Sequence, residues 1–265
     1  MTPRTLVVFH AHPDDEAIAT GGTMAQAARD GHRVILVVAT RGEHGEVADG
    51  YLSPGEALWE RRVQETHAAA EVLGVHRVAF LGYVDSGMAG TPENDAPGCF
   101  WQADVEEAAR RLADILEEEQ ADVLTVYDEW GVYGHPDHVQ VHRVGVRAGE
   151  LAGTPRVYMG TIDQDRIRRL FKAAQEFGEF DAPGDLDPDD MKLGVPGERI
   201  TTRIDVSEFV DLKRRAMAAH ASQISEDSFF LKLPPEAFAM SFGLEEYILV
   251  GERPADEETD LFGAL

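Results

Sequence analysis

The stretch Leu6-Val7-Val8-Phe9-His10-Ala11-His12-Pro13-Asp14-Asp15-Glu16 decides the fold. Its first four residues are apolar without polar alternation, as in a strand buried on both faces of a parallel sheet. Pro13 has no amide donor and ends the ladder. Glu16 then opens a helical run to about residue 30, where Gly31 follows Ala27-Ala28-Arg29-Asp30 as a C-terminal stop. A second apolar run begins at residue 33, completing a strand–helix–strand unit.

The same alternation continues outward. Strand candidates lie at 5–11, 33–40, 77–81, 122–127 and 155–160, and helix candidates at 16–30, 55–74, 101–119 and 136–152. Leu58, Val63, Ala69, Val72 and Leu73 make the second helix one-sided, and Gly74 closes it. We read an α/β chain with a Rossmann-like, mostly parallel sheet and helices on both faces. A strand at 201–206, a helix capped by Asp205 or Ser207 and running to about 223, and a strand at 246–250 add a C-terminal helix and strand extension. The acidic, Pro- and Gly-bearing stretch 179–190 reads as a solvated loop. Its Asp residues lack the glycine turn and terminal glutamate of a calcium loop. One domain over 1–250 is expected, with a frayed acidic tail at 251–265.

Of the 265 residues, 43% are hydrophobic, an ordinary share for a globular chain long enough to bury a core. The formal net charge of −25 argues against nucleic acid or an anionic membrane surface as partner. Cys99 is the only cysteine, so no intrachain disulfide forms. Met1-Thr2-Pro3-Arg4 leads directly into the first strand, and no run approaches the roughly 18 apolar residues of a membrane span. A cytoplasmic location is the expectation, and a homo-oligomer is left open.

Two clusters carry chemistry. The first is His12-Pro13-Asp14-Asp15-Glu16, delivered to the carboxyl edge of the sheet, where open α/β folds bind ligands. The side chains of adjacent Asp14 and Asp15 diverge, so one can bind a metal while the other faces a water. The second is His135-Pro136-Asp137-His138, after the apolar run 123–127. Pro136 suits the first position of a helix, which places His135 and His138 on one face of its first turn. One of them can coordinate metal. The other can approach substrate, oriented by a carboxylate such as Asp137. Imidazole and carboxylate are ligands that Zn²⁺ accepts, and three protein ligands plus an open position is a catalytic arrangement. The surplus of ionisable groups points to acid/base chemistry and so to a metal-dependent hydrolase. Tyr133 stands in the glycine-bearing loop before the second cluster, where its hydroxyl can serve a developing oxyanion. His142 reads as a packing residue, and His10 as buried against a helix. His32, His44, His67, His76 and His220 lack clustered partners. Thr20-Gly21-Gly22-Thr23 matches neither a dinucleotide fingerprint nor a P-loop.

Together, Ala11-His12-Pro13-Asp14-Asp15-Glu16 and Tyr133-Gly134-His135-Pro136-Asp137-His138 resemble the LmbE/PIG-L-like family of zinc-dependent N-acetylglucosamine deacetylases. The pair of motifs, roughly 120 residues apart, is far more specific than either alone. The likeness extends to Arg41-Gly42-Glu43, to Arg62 with Glu65, and to Asp85-Ser86-Gly87-Met88-Ala89-Gly90-Thr91. It is nearest to the mycothiol-pathway members that deacetylate N-acetylglucosaminyl-inositol. The mycothiol S-conjugate amidase branch typically carries a lysine where this chain has Ala19. That amidase, or a deacetylase of another glycosylated small molecule, is the alternative.

The resemblance implies that His12, Asp15 and His138 bind one Zn²⁺ per chain. Fe²⁺ or Co²⁺ also suits such a set, because affinity alone does not decide metal identity. It implies Asp14 as general base, His135 as the acid for the leaving amine with Asp137 orienting it, and Tyr133 polarising the acetyl carbonyl. It implies Arg62 and Asp85 as grips on hydroxyls of a small amino-sugar substrate, with Met88 packing on the sugar.

Overall fold

The first strand, β1 (Thr5–His10), is buried along its whole length, and its alternate side chains feed two cores. Leu6 and Val8 join Met24, Leu36, Leu73 and Met217 on one face of the sheet. Val7 and Phe9 join Ile35, Leu112, Leu124 and Val144 on the other. This two-sided burial is why the apolar runs show no alternation. The computed structural model describes residues 2–177, 193–263 and 265.

Five parallel strands are β1, β2 (Arg33–Val38), β3 (Arg77–Phe80), β4 (Val123–Tyr127) and β5 (Arg156–Thr161). Then β6 (Thr202–Asp205) and β7 (Leu244–Leu249) extend the sheet antiparallel, β7 against both β5 and β6. The order is β3-β2-β1-β4-β5-β7-β6. The chain winds outward from β1 in one direction and from β4 in the other. The carboxyl ends of β1 and β4 therefore flank the switch point, the place where such sheets bind ligands. Each of the two sequence clusters follows one of these strands.

The helices are α1 (Asp15–Ala19), α2 (Gly21–Arg29), α3 (Leu58–Leu73), α4 (Val105–Glu119), α5 (Gly131–Gly134), α6 (Pro136–Ala152), α7 (Gln164–Phe177), α8 (Val210–Ala219), α9 (Phe229–Lys232) and α10 (Pro235–Phe242). Gly74 closes α3 at φ 74°, and Asp104 caps α4 by accepting the Glu107 N–H. The helix expected over 16–30 is two helices. Thr20 breaks it at φ −131°, with its hydroxyl 2.8 Å from His10 Nε2. Gly22 then passes so near Val206 that a β-carbon would lie 2.4 Å from the valine's own. Sequence periodicity gave no sign of α7, α9 or α10.

The acidic stretch 179–190 lies outside the described residues. The tail corrects the expectation of fraying. Leu261 is buried, Phe262 stacks on His32 with ring centres 4.1 Å apart, and Tyr158 Oη donates to Glu258 Oε2 at 2.9 Å. Backbone bonds link Glu258 to Thr201 and Arg203. An apolar pair and one acidic residue with waiting partners are enough to seat an otherwise acidic end. Among the described residues, no helix is long and apolar enough to cross a membrane.

Candidate active site

The turn after β1 is tight. His12 N–H donates to Asp15 Oδ2 at 2.9 Å, and Asp14 N–H to Glu16 Oε2 at 3.0 Å. Asp14 sits at φ 92°, a left-handed conformation that strains a residue with a β-carbon. Its carboxylate is held by Arg62, whose Nη2 lies 3.2 Å from Asp14 Oδ2 and 2.6 Å from the Pro13 carbonyl. Arg62 Nη1 donates to the Gly42 carbonyl at 2.9 Å. A β-carbon at Gly42 would fall 2.1 Å from that nitrogen, on a backbone at φ 70°, so a side chain there would be strained and would displace the guanidinium.

The turn after β4 is braced by Asp128, whose Oδ1 accepts the N–H groups of Trp130 and Val132. Val132, directly before Tyr133, stands at φ 66°, a second strained residue. His135 caps α6 by accepting the Asp137 N–H on Nδ1 at 3.1 Å.

These two turns bring His12, His135 and His138 together, with a ring nitrogen of each within 4.8 Å of the others. Asp15 Oδ2 lies 3.5 Å from His12 Nδ1 and 3.5 Å from His138 Nε2. Ligands about 2.1 Å from a tetrahedral ion stand roughly 3.4 Å apart. Asp15 Oδ2 thus stands at a ligand-like spacing from both His12 Nδ1 and His138 Nε2. His138 supports the same reading. Burial pushes its pKa down to about 3, leaving a neutral ring able to coordinate, and Tyr127 stacks on it at 4.4 Å and 10°. Burial opposes charge on Asp15, yet His138 and His12 hold its carboxyl well below the usual range. Burial likewise opposes charge on His12, and Asp137, Asp15 and Asp85 overcome it and raise its pKa.

Asp137 differs from expectation. Its Oδ2 lies 3.0 Å from His12 Nε2 and accepts the Ser86 N–H at 2.9 Å, and its Oδ1 takes the Ser86 hydroxyl. The carboxylate thus orients His12 rather than His135; it is the backbone of Asp137 that meets His135. A carboxylate on the far nitrogen of a ligand imidazole fixes its tautomer and raises its basicity. Asp85 Oδ1 adds a weaker contact to the same nitrogen at 3.5 Å. Of the three residues expected at the sugar, Arg62 and Asp85 are buried and bonded within the protein, and Met88 is 55% exposed.

Burial is the main reason that the Asp14 pKa rises to about 6; Arg62 opposes the rise and Asp15 adds to it. Tyr133 Oη lies 3.3 Å from His138 Nε2, and burial pushes its own pKa upward, so its hydroxyl keeps its proton. Burial lowers the His135 pKa, and neighbouring His12 lowers it further.

Several groups at the site carry no local motif. Glu16, read as a helix-start charge, is wholly buried, and its Oε1 meets His220 Nε2 at 2.6 Å. Glu65 accepts both the N–H and the hydroxyl of Ser222. His10 is buried as expected, bonding Tyr127 Oη at 2.6 Å, and His142 packs by bonding the Tyr127 carbonyl at 3.0 Å.

The profile of PIG-L, the GlcNAc-PI de-N-acetylases, matches residues 7–149. The chain is 41% identical over 278 residues to the 1D-myo-inositol 2-acetamido-2-deoxy-alpha-D-glucopyranoside deacetylase of Acidothermus cellulolyticus, covering 99% of this chain and 95% of that one. It is 41% identical over 297 residues to the enzyme of the same name from Thermobifida fusca, covering 99% and 100%. Among solved structures, N,N'-diacetylchitobiose deacetylase from Pyrococcus horikoshii aligns with a TM-score of 0.61 at 23% identity, over 94% of this chain and 84% of that one. The 4-carboxy-2-hydroxymuconate hydratase GalB from Pseudomonas putida aligns with 0.60 at 19%, over 96% and 98%. The fold thus supports more than one reaction.

Proposed function

We propose the reaction from one premise: the chain belongs to the PIG-L family of GlcNAc-PI de-N-acetylases. It is an amide hydrolase that removes an N-acetyl group from a GlcNAc-linked substrate. The substrate we assign is N-acetylglucosaminyl-inositol, the compound named in its relatives. The observation that carries this reading is Asp15 Oδ2 at 3.5 Å from both His12 Nδ1 and His138 Nε2, beside an Asp14 carboxylate held by Arg62.

His12, Asp15 and His138 would hold the metal, which we assign as Zn²⁺. Bound there, it supplies a Lewis acid to the amide carbonyl and to the attacking water. Asp14 receives the water's proton. A base works best with a pKa near the working pH, and burial moves Asp14 in that direction. Arg62 fixes the carboxylate, so no rotamer search precedes the transfer. A C–O bond forms, the amide C–N bond breaks, and acetate and a free amine result. Tyr133 donates its hydroxyl to the oxyanion that develops in between. His135 delivers a proton to the departing nitrogen. To act as this acid the ring enters doubly protonated, releasing the Asp137 N–H from Nδ1, and gives up its Nε2 proton; the proton collected by Asp14 later restores it.

The test is acetate release by metal-quantified protein from N-acetylglucosaminyl-inositol, with a mycothiol S-conjugate in parallel. We expect cleavage of the first at a far higher kcat/KM. A preference for the conjugate would move the chain to the amidase reading, and inertness toward both would end the assignment.

A further inference from the structure

Resting on that hydrolase reading, we infer that the site takes amino sugars whose N-acyl group is an extended apolar chain, much longer than acetyl. A cavity of about 1270 Å³ opens from the reacting point. Asp14, Asp15, Tyr133 and His138 wall one part of it. Ile18, Ile167, Leu170, Phe229, Phe230 and Met240 wall another, forming an apolar lobe. An acetyl group offers a single methyl to so much apolar surface.

The sugar and the inositol are poor occupants of the lobe, because desolvated hydroxyls need partners. Two pairs of charged groups beside it are already matched to each other. Lys213 Nζ donates to Glu245 Oε1 at 2.6 Å, and Arg166 Nε to Glu246 Oε1 at 2.6 Å. The Thr161 hydroxyl donates to Asp128. What the lobe presents is apolar contact, and two of its residues keep much of their surface in water, Phe229 at 45% and Met240 at 64%.

The direction of the amide follows from the same wall. His135, Asp85 and Met88 are outside it, whereas Asp14 and His138 are in it. The nitrogen arm of the amide must face His135 to receive its proton. The acyl arm then leaves on the side of the lobe. Ala19, also in the wall, leaves that path open and uncharged.

The experiment uses glucosaminyl-inositol carrying N-acetyl, N-butyryl, N-hexanoyl or N-octanoyl groups. The metal-loaded enzyme is assayed by amine release, and the metal-loaded Asp14→Asn variant by calorimetric binding of the uncleaved sugars. Each methylene buried is worth roughly threefold to fourfold in affinity. We expect the octanoyl sugar to bind at least tenfold more tightly than the acetyl sugar. Met240→Asp and Ile167→Asp should each cut the octanoyl-to-acetyl ratio of kcat/KM at least tenfold. Equal affinities for the two sugars, or a ratio that neither variant moves, would overturn the lobe as an acyl site. Failure of every sugar to be hydrolysed would instead strike the hydrolase reading, and the binding comparison would still decide the lobe.

Discussion

Asp137→Asn tests how the metal centre is held. In the native protein Asp137 is fully buried, with Oδ2 3.0 Å from His12 Nε2, and it accepts both the N–H and the hydroxyl of Ser86. Asparagine keeps the shape but has one acceptor oxygen. Whichever way its amide turns, either His12 Nε2–H or the Ser86 hydroxyl meets an N–H group. The negative charge that raises the basicity of His12 is also lost. Removing such a carboxylate partner lowers metal affinity roughly 10- to 100-fold, or about 1.4–2.7 kcal/mol. Chelator competition measures the dissociation constant directly. We expect it to rise within that range, with kcat restored once metal saturates the variant. An unchanged dissociation constant together with a kcat that stays low at saturating metal would refute the reasoning. It would place the carboxylate in the service of His135.

Three further outcomes follow from the same geometry. Asp14→Asn should retain metal at native stoichiometry and lose about 10²–10⁴-fold in kcat, because only the proton acceptor is removed; elemental analysis with single-turnover kinetics checks both halves. His220 is buried against Glu16; burial would lower its pKa, and the Glu16 carboxylate outweighs that and raises it above 6.5. Its stabilisation is therefore complete below pH 6.5 and fades as pH climbs through the raised value, so the Tm gap between native protein and His220→Gln should narrow from pH 6 to pH 9. A constant gap across that range would refute it. Deleting residues 257–265 removes buried Leu261 and the Glu258 bonds, a loss of about 3 kcal/mol, and should lower Tm by roughly 5–10 °C; a frayed tail would leave the melting curve unmoved.

The site was legible in the sequence as far as its parts lie within one turn of chain. His12 and Asp15 are three residues apart, and so are His135 and His138, and each pair follows an apolar strand whose end locates it on the sheet edge. Periodicity found the five parallel strands because each is a short apolar run, kept continuous in β1, β2 and β4 by burial on both faces. Partners that meet across the fold left no such trace. Glu16 and His220 are 204 positions apart, Glu65 and Ser222 are 157 apart, and Asp137 reaches His12 over 125. The hydrophobic tail residues Leu261 and Phe262 are too few to register as periodic, yet a waiting slot beside His32 is enough to order them.

By itself the sequence determined which side chains form the two halves of the centre, because ligand spacing and the strand-to-helix turn are local properties of the chain. Only the tertiary structure decided that the halves meet and that the Asp137 carboxylate contacts His12. It also joined the reacting point to an apolar lobe. Those relations depend on where the strand order reverses between β1 and β4 and on how α7, α9 and α10 close over that edge, and both are set by packing between segments remote from each other in the chain.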